Sequence, residues 1–166
     1  MTPPNGTFRS RPAVGRFTLT TPTCARAANS YAADSVRACV ELLGARRINH
    51  GVRAVEDPAV VDLLVERGVS LDVCPTSNVA LQVAPSIAEH PLPALLAAGV
   101  PVSLSTDCPL FLDTTTVAEY ALASSAFGLG PEQLAAIART SLVTSSCPAD
   151  RRDRALAALG EWRPAG

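Results

Sequence analysis

The sequence has few aromatic residues, almost no net charge and no long hydrophobic run. Aromatic residues make up 4 % of the 166 residues, and 14 basic side chains nearly balance 15 acidic ones, giving a net charge of −1. A nucleic-acid binder needs a basic excess, so this composition argues against such a partner. No apolar run approaches the roughly 20 residues of a membrane-spanning helix, and residues 1–15 lack the apolar segment typical of a signal peptide. We therefore expect neither a membrane nor a nucleic acid as a partner.

Cysteine is present, but its pattern indicates neither a disulfide framework nor a zinc ribbon. The five cysteines are odd in number and widely spaced, at positions 24, 39, 74, 108 and 147. Secreted scaffolds and structural zinc sites show paired or closely spaced cysteines instead. This pattern favours a reducing compartment, and we expect a cytoplasmic location.

The chain divides into a short irregular tail and one globular region. Residues 1–16 are rich in proline, glycine and arginine without periodicity, which predicts a disordered tail. In residues 17–166 a strand–helix unit recurs, and the 48 % hydrophobic content is enough for one core. We predict strands at residues 17–21, 46–49, 69–74 and 100–104, helices at 34–43, 59–67, 92–98, 115–127, 131–143 and 148–159, and loops at 22–33 and 75–91. Such alternation with short connections predicts an α/β fold with a parallel sheet and outer helices.

Polar clusters follow three of the four predicted strands. They are residues 49–51, 74–78 and 105–108. Because the carboxyl ends of parallel strands meet at one edge of a sheet, His50 and Asp107 are expected on the same rim, where catalytic residues of such folds lie. Polar strand ends are common in α/β proteins, so the pattern alone does not name a function.

Three segments, in order, resemble motifs of the adenosine deaminase family, in the metal-dependent hydrolase superfamily. Residues 47–51 (RINHG) resemble its Arg-Ile-Gly-His-Gly segment, residues 74–78 (CPTSN) its Cys-Pro-x-Ser-Asn segment, and residues 104–109 (LSTDCP) its Leu-Asn-Thr-Asp-Asp-Pro motif. The resemblance covers about residues 17–162 and corresponds to the carboxyl-terminal half of the family's barrel. It implies a partial (β/α)8 TIM barrel of about four parallel strands with outer helices, plus C-terminal helices.

The resemblance also implies a chemistry and a site. The family hydrolyses the 6-amino group of adenosine to give inosine and ammonia, with zinc as its cofactor. By this resemblance Asp107 is the catalytic aspartate that binds the metal, His50 is the catalytic histidine beside the attacking water, and Cys108 occupies a substrate-binding position. Zinc lowers the pKa of bound water from about 16 to roughly 7. The implied small-molecule partner is a purine nucleoside, adenosine first.

Several positions depart from the family pattern. Cys108 stands where the family has an aspartate that contacts the purine ring, and a thiol is only a weak hydrogen-bond donor. The family's His-x-His pair has no counterpart, and its His-Ala-Gly-Glu motif, expected just after residues 17–21, is absent from residues 21–26. A catalytic zinc site needs three protein ligands, and only Asp107 is recognisable. Cys24, Cys74 and Cys108 are the alternative ligands in this chain.

Two interpretations therefore remain open. The chain is either a zinc-dependent deaminase polypeptide or a non-catalytic half-barrel that binds a partner or self-associates through its open edges. A different metal-dependent amidohydrolase is a weaker third alternative. We expect the chain alone to be inactive, and we expect a structural role for His90, which precedes Pro91 in a loop.

The resemblance fails in one stretch, residues 21–30, although it holds on both sides. A displacement of two bases across the codons of residues 22–26 can read His-x-x-Glu, the spacing of the missing motif. A frameshift is therefore one hypothesis for the loss, and gradual divergence of a truncated relative is the other. The nucleotide sequence of the gene distinguishes them.

Overall fold

Four parallel strands form one sheet. The computed structural model describes residues 24–27 and 32–162. The strands are β1 (Cys24–Ala27), β2 (Arg47–His50), β3 (Ser70–Val73) and β4 (Val102–Leu104), and they lie in the order β1-β2-β3-β4. Each strand pairs in parallel with the next strand of the chain, as successive βα units do. The predicted α/β fold with four parallel strands is confirmed.

Helices connect the strands and follow the last one. They are α1 (Ala33–Glu41), α2 (Pro58–Arg67), α3 (Pro75–Ala80), α4 (Leu92–Ala97), α5 (Pro109–Leu112), α6 (Thr116–Phe127), α7 (Pro131–Val143) and α8 (Ala149–Glu161). A 3₁₀ turn, Val52–Glu56, lies between β2 and α2. Side chains fix two helix starts, since Asp57 accepts a hydrogen bond from the Ala59 N–H and Thr115 accepts one from the Ala118 N–H. Within the described residues, no helix is long and apolar enough to cross a membrane.

The apolar core lies on one face of the sheet. The strand register places Ile48, Leu71 and Val102 at one level on adjacent strands, and each is at most 2 % exposed. Burying a side chain of this size stabilises the fold by about 1.5–3 kcal/mol. Valines and leucines of α1, α2 and α4 complete the core: Val36, Val40, Val60, Leu64, Leu92 and Leu95.

Polar side chains occupy the alternate strand positions. The register places Asn49, Asp72 and Ser103 at one level, and Asp72 and Ser103 are buried. Asp72 Oδ2 accepts a hydrogen bond from Arg47 Nε at 2.7 Å, and its Oδ1 accepts one from the Ser103 hydroxyl. The second face is therefore polar, and Asp72 links Arg47 and Ser103 across three strands, while the buried Ser70 hydroxyl on the same face has no hydrogen-bond partner among the described residues.

The first strand differs from the sequence prediction. The predicted strand at residues 17–21 and the predicted tail at residues 1–16 lie outside the described residues. β1 instead covers residues 24–27, inside the predicted loop, so that loop assignment was wrong there. Its sequence, CARA, has little intrinsic strand preference, and parallel pairing with β2 provides the backbone hydrogen bonds that override it.

This register also moves the expected position of the missing motif. Ala27, and not a residue near 21, lies level with His50 at the carboxyl end of β2. Residues 26–29 read Arg-Ala-Ala-Asn, which again contains neither histidine nor glutamate. The shifted reading would place its histidine at residue 22, outside the described residues, and the frameshift stays a hypothesis that the nucleotide sequence tests.

Two short helices also replace predicted irregular segments. α3 begins at Pro75, where a loop was predicted, and α5 begins at Pro109. Proline is favoured at the first helical position because its fixed φ suits a helix and its missing N–H is not needed there. At α3, the Thr76 N–H also donates to Glu119 of α6 at 3.3 Å, a tertiary contact that local sequence does not reveal.

Candidate active site at the carboxyl end of the sheet

Two residues at the carboxyl rim have an unusual backbone conformation. His50 ends β2 and Asp107 follows β4, with φ angles of +64° and +58°. Positive φ is uncommon for residues other than glycine and costs roughly 1–3 kcal/mol where the surrounding structure enforces it. Such strain clusters at functional sites, and here it occurs at the two residues for which the sequence predicts a catalytic role.

The predicted proximity of these two residues is confirmed. His50 Nε2 lies 3.7 Å from Asp107 Oδ2. His50 is 2 % exposed, while the Asp107 side chain keeps 14 % of its surface accessible. Asp107 Oδ2 also accepts a hydrogen bond from the Ser77 hydroxyl at 2.8 Å. The result is a fixed carboxylate beside an imidazole nitrogen at a partly open rim.

One turn of α3 holds the surrounding elements together. Residue by residue, Thr76 donates its N–H to Glu119, Ser77 donates to Asp107, and Asn78 contacts both histidines. Ser77 and Asn78 lie in the Cys-Pro-x-Ser-Asn segment, but no role for these two residues was predicted from the sequence. Their motif was the available signal, because a serine and an asparagine directly after a strand reach the rim.

His90 lies deeper, behind Asn78. Its Nδ1 is 3.1 Å from the Leu92 N–H, and its Nε2 is 3.1 Å from Asn78 Oδ1. The ring is 3 % exposed and lies 5.7 Å from the ring of Phe127, centroid to centroid. Burial lowers the pKa of His90 to about 4, so the ring is neutral near neutral pH. The structural role predicted for His90 thus extends to a direct contact with the residue that contacts His50.

The cysteines differ in their surroundings. Cys74 is buried, and burial, with the Asp107 charge as the next cause, raises its pKa to about 12. Its Sγ lies 3.7 Å from the Asp72 carbonyl oxygen, so Cys74 is a hydrogen-bonded thiol in this chain. Burial also raises the pKa of Cys39, in the core. Cys108, next to Asp107, is exposed, and its role toward substrate stays a prediction.

The donor groups do not fit a complete zinc site. In the part of the chain that the structure describes, no group of three or more His, Cys, Asp or Glu side chains could hold a metal ion. The whole sequence contains two histidines, and both ring nitrogens of His90 are engaged in hydrogen bonds. A catalytic zinc needs three protein ligands. Among the described side chains, Asp107 and His50 fall short of that number, and the Cys24 side chain lies outside those described.

Curated relatives of this chain are deaminases. A family model described as adenosine deaminase matches residues 21–162. The chain is 46 % identical over 128 residues to an adenine deaminase of Agrobacterium fabrum, an overlap of 77 % of this chain and 39 % of that protein. It is 42 % identical over 127 residues to an adenine deaminase of Rhizobium meliloti, covering 76 % of this chain and 39 % of that protein. The chain thus spans about two fifths of the length of these relatives.

Solved structures show the same fold. An adenine deaminase from Arthrobacter aurescens superposes with a TM-score of 0.80 at 31 % identity, covering 84 % of this chain and 42 % of that one. An amidohydrolase from Burkholderia ambifaria, solved with bound zinc, superposes with a TM-score of 0.74 at 24 % identity, covering 82 % of this chain and 39 % of that one. The second likeness concerns the fold alone. The sheet and helices described above are part of a TIM-barrel deaminase fold.

Proposed function

Because the chain belongs to the adenosine deaminase family, we propose that it carries the carboxyl-terminal part of a hydrolytic deaminase centre for amino-purines. The observation that carries this proposal is the His50–Asp107 pair, at 3.7 Å, with the carboxylate fixed by Ser77. Adenine is the first substrate to test, since relatives 42–46 % identical are named adenine deaminases, and adenosine is the second.

The chemistry of the pair suits the water-activating side of such a reaction. Hydrolytic deamination adds a water oxygen to the ring carbon that bears the amino group and releases ammonia. The Asp107 carboxylate is positioned to accept a proton from that water, and an imidazole N–H of His50 stabilises negative charge on the attacking oxygen. The Ser77 hydroxyl orients the accepting oxygen by its 2.8 Å hydrogen bond.

The same donor set predicts that this chain alone does not turn over. It lacks the family's glutamate, which protonates the purine ring, and it lacks the histidines that complete the zinc site. Loss of a general acid costs about 10²–10⁴-fold in rate by itself. The family's zinc belongs to the proposed complete centre, and we expect the isolated chain not to retain stoichiometric zinc after purification.

A graft into a relative tests the proposed site residues within a complete barrel. Residues 32–162 of this chain would replace the matching part of the Agrobacterium fabrum adenine deaminase, and ammonia release from adenine would be measured. We expect the Cys108→Asp graft to be active, because it restores the family residue, and the unmodified graft to be weaker. Adding Asp107→Ala or His50→Ala to the active graft should lower the rate by about 10²-fold or more.

The possible outcomes are distinct. A folded, zinc-loaded Cys108→Asp graft that releases no ammonia would contradict the deaminase site. Ammonia release by the isolated chain, abolished by Asp107→Ala, would contradict the proposal that it is inactive alone.

A second candidate function is a non-catalytic half-barrel that self-associates. Two observations favour it: β1 and β4 are the outer strands of the described sheet, and α5 exposes Leu110 and Phe111, at 96 % and 90 %. The graft separates the candidates, because a deaminase half should restore ammonia release there and a binding module should not. The cytoplasmic location stays a prediction.

A further inference from the structure

We propose that His90 is a positioning residue that fixes, through Asn78, which ring nitrogen of His50 carries the proton. The relevant chain of contacts runs from the Leu92 N–H to His90, Asn78 and His50. The inference deepens the proposed function, on which it rests for the chemical use of His50. Its test reads proton positions rather than turnover.

The direction of hydrogen bonding along this series of contacts is set at its buried end. The Leu92 backbone N–H lies 3.1 Å from His90 Nδ1, and a backbone N–H can only donate. His90 Nδ1 is therefore the acceptor, and the proton of the neutral ring is on Nε2. That N–H points at Asn78 Oδ1, 3.1 Å away, which fixes the amide oxygen as the atom that faces His90.

The amide then transmits this direction to His50. With its oxygen toward His90, Asn78 presents its NH₂ group to His50 Nδ1, at 3.5 Å. An amide nitrogen is a donor only, so His50 Nδ1 accepts and the proton of the neutral ring is on Nε2. His50 Nε2 is the nitrogen that lies 3.7 Å from Asp107 Oδ2. This series of contacts therefore places an N–H of His50, and not a lone pair, beside the Asp107 carboxylate.

The surroundings make this arrangement rigid. Asn78 is fully buried and His90 is 3 % exposed, packed against the Phe127 ring. His90 contacts a backbone N–H, a carboxamide and an aromatic ring, none of which is charged. Its neighbour Glu89 is exposed and bonds to the Ser86 hydroxyl. An uncharged, buried ring with two fixed partners holds one tautomer.

The tautomer has a consequence for the proposed chemistry. A donor at His50 Nε2 stabilises an oxygen that gains negative charge beside Asp107, whereas a lone pair there would repel it. Without the fixed amide, both tautomers of His50 become accessible. His90 would then contribute to the site without touching water or substrate.

Nuclear magnetic resonance of the full-length chain tests the inference directly. The sequence contains two histidines, so two-bond ¹H–¹⁵N correlations of the imidazole rings give two spin systems, assigned with single variants. Near neutral pH, the expected spectrum shows a protonated Nε2 and an unprotonated Nδ1 for both rings. A His90 ring that is protonated at Nδ1, or that titrates at the ordinary histidine pKa of about 6.5, would overturn the inference.

Three variants separate positioning from simple packing. In His90→Leu the amide loses its partner, and His50 should show a mixture of tautomers. In His90→Gln a carboxamide replaces the ring's donor and acceptor, so His50 should keep a protonated Nε2. In Asn78→Asp the side chain can only accept, and His50 Nδ1 should become protonated. Glu89→Gln, next to His90 but outside the chain of contacts, is the matched control and should leave both rings unchanged.

An unchanged His50 tautomer in both His90→Leu and Asn78→Asp would overturn the inference, as would a shift of equal size in Glu89→Gln. Dispersed amide resonances report whether each variant is folded. If His90→Leu does not fold, Asn78→Asp and His90→Gln still decide, since one predicts a moved proton and the other an unmoved one. A failed graft assay with the expected tautomers would count against the proposed function alone.

Discussion

At the scale of single residues, the turn after β2 shows how backbone conformation and packing coincide at the rim. His50 and Gly51 both have positive φ angles, +64° and +70°. A Cβ atom on Gly51 would lie 2.9 Å from Leu71 Cδ2 and 3.4 Å from Ile48 Cγ2. The chain can thus leave the strand and enter the 3₁₀ turn at this point only because residue 51 has no side chain.

We predict that Gly51→Ala destabilises the protein more than Gly44→Ala. Both positions have positive φ, so both substitutions incur about 1–2 kcal/mol of backbone strain. Gly44 has open space around the added methyl group, whereas Gly51 meets Leu71, and overpacking adds typically about 1–3 kcal/mol. Urea unfolding of both variants measures the difference. Equal free energies of unfolding would show that the contact with Leu71 relaxes without cost.

The buried His90 predicts a specific dependence of stability on pH. Its folded pKa is about 4, while an unfolded histidine has a pKa of about 6.5. Between these values the unfolded chain binds the proton and the folded chain does not, so the free energy of unfolding falls as pH decreases through this window. At 1.36 kcal/mol per pKa unit, the loss is about 3 kcal/mol at most.

Unfolding free energies of the wild type and of His90→Gln, measured from neutral pH to about pH 4, test this prediction. The variant lacks the titrating ring, so its stability should fall less over the window, and the carboxylates shared by the two proteins cancel in the difference. Parallel curves of unfolding free energy against pH would mean that the pKa of His90 is the same in the folded and the unfolded state.

Sequence motifs located some of these residues and missed others. His50 and Asp107 follow strands and lie in motifs of the resembled family, so both the local pattern and the resemblance pointed to them. His90 was missed as a partner of the site because its contact with Asn78 spans 12 residues and has no periodic or motif signal. The direction of hydrogen bonds along a buried series of groups can be assigned only when their three-dimensional contacts are known.

At the scale of elements, a buried carboxylate joins two helices. Glu119 of α6 is fully buried, and its Oε1 accepts a hydrogen bond from the Thr114 hydroxyl at 2.9 Å. Its Oε2 accepts the Thr76 N–H at the start of α3, at 3.3 Å. Because Ser77 and Asn78 follow Thr76 in the same helical turn, the position of Glu119 determines where both reach the rim.

We predict that Glu119→Gln lowers the free energy of unfolding by about 1–3 kcal/mol, because the new NH₂ group opposes one of two donors in a buried site. Glu132→Gln, an exposed change in the first turn of α7, is the control and should have little effect. Equilibrium unfolding of the two variants measures the difference. Similar values for both would indicate that the α3 start is held by other contacts.

The accuracy of the element predictions follows from the type of signal. α2 and α7 agree with prediction to within one residue, since a proline start and an apolar period of 3.6 are local properties. β1 and α3 were not predicted, because one depends on pairing with β2 and the other on Glu119 of α6. Elements that depend on contacts with distant residues show only a weak pattern in the local sequence.

At the scale of the whole molecule, the sheet has two chemically different faces and two outer strands. Helices cover the face of Ile48 and Leu71, while Asp72 and Ser103 bond to each other on the polar face. The parallel order was predictable from strand–helix alternation. The hydrogen bond between Asp72 and Ser103 was not predictable, because it depends on the register that aligns these two residues.

The outer strand β4 leads to the last prediction, which is self-association of the isolated chain. The Pro101 carbonyl and the Ser105 N–H both bond to β3. In a parallel strand, alternate residues direct their backbone groups to opposite sides, so Val102 and Leu104 present theirs away from β3. Within the described residues β4 is the last strand of the sheet, and its three residues are buried. An unpaired strand edge becomes a template for pairing with another chain when its cover opens, so we expect association to require that opening.

We expect sedimentation velocity to show species larger than a monomer that increase with protein concentration, and an unfolding midpoint that rises with concentration. The double variant Leu110→Glu/Phe111→Glu should still associate, because it removes the exposed apolar surface of α5 and leaves the strand edge intact. Leu42→Glu, which removes an 81 % exposed leucine elsewhere, is the control for general loss of surface hydrophobicity. A monomer at all concentrations with cooperative unfolding would contradict association, and loss of association in the double variant alone would assign it to α5 instead of β4.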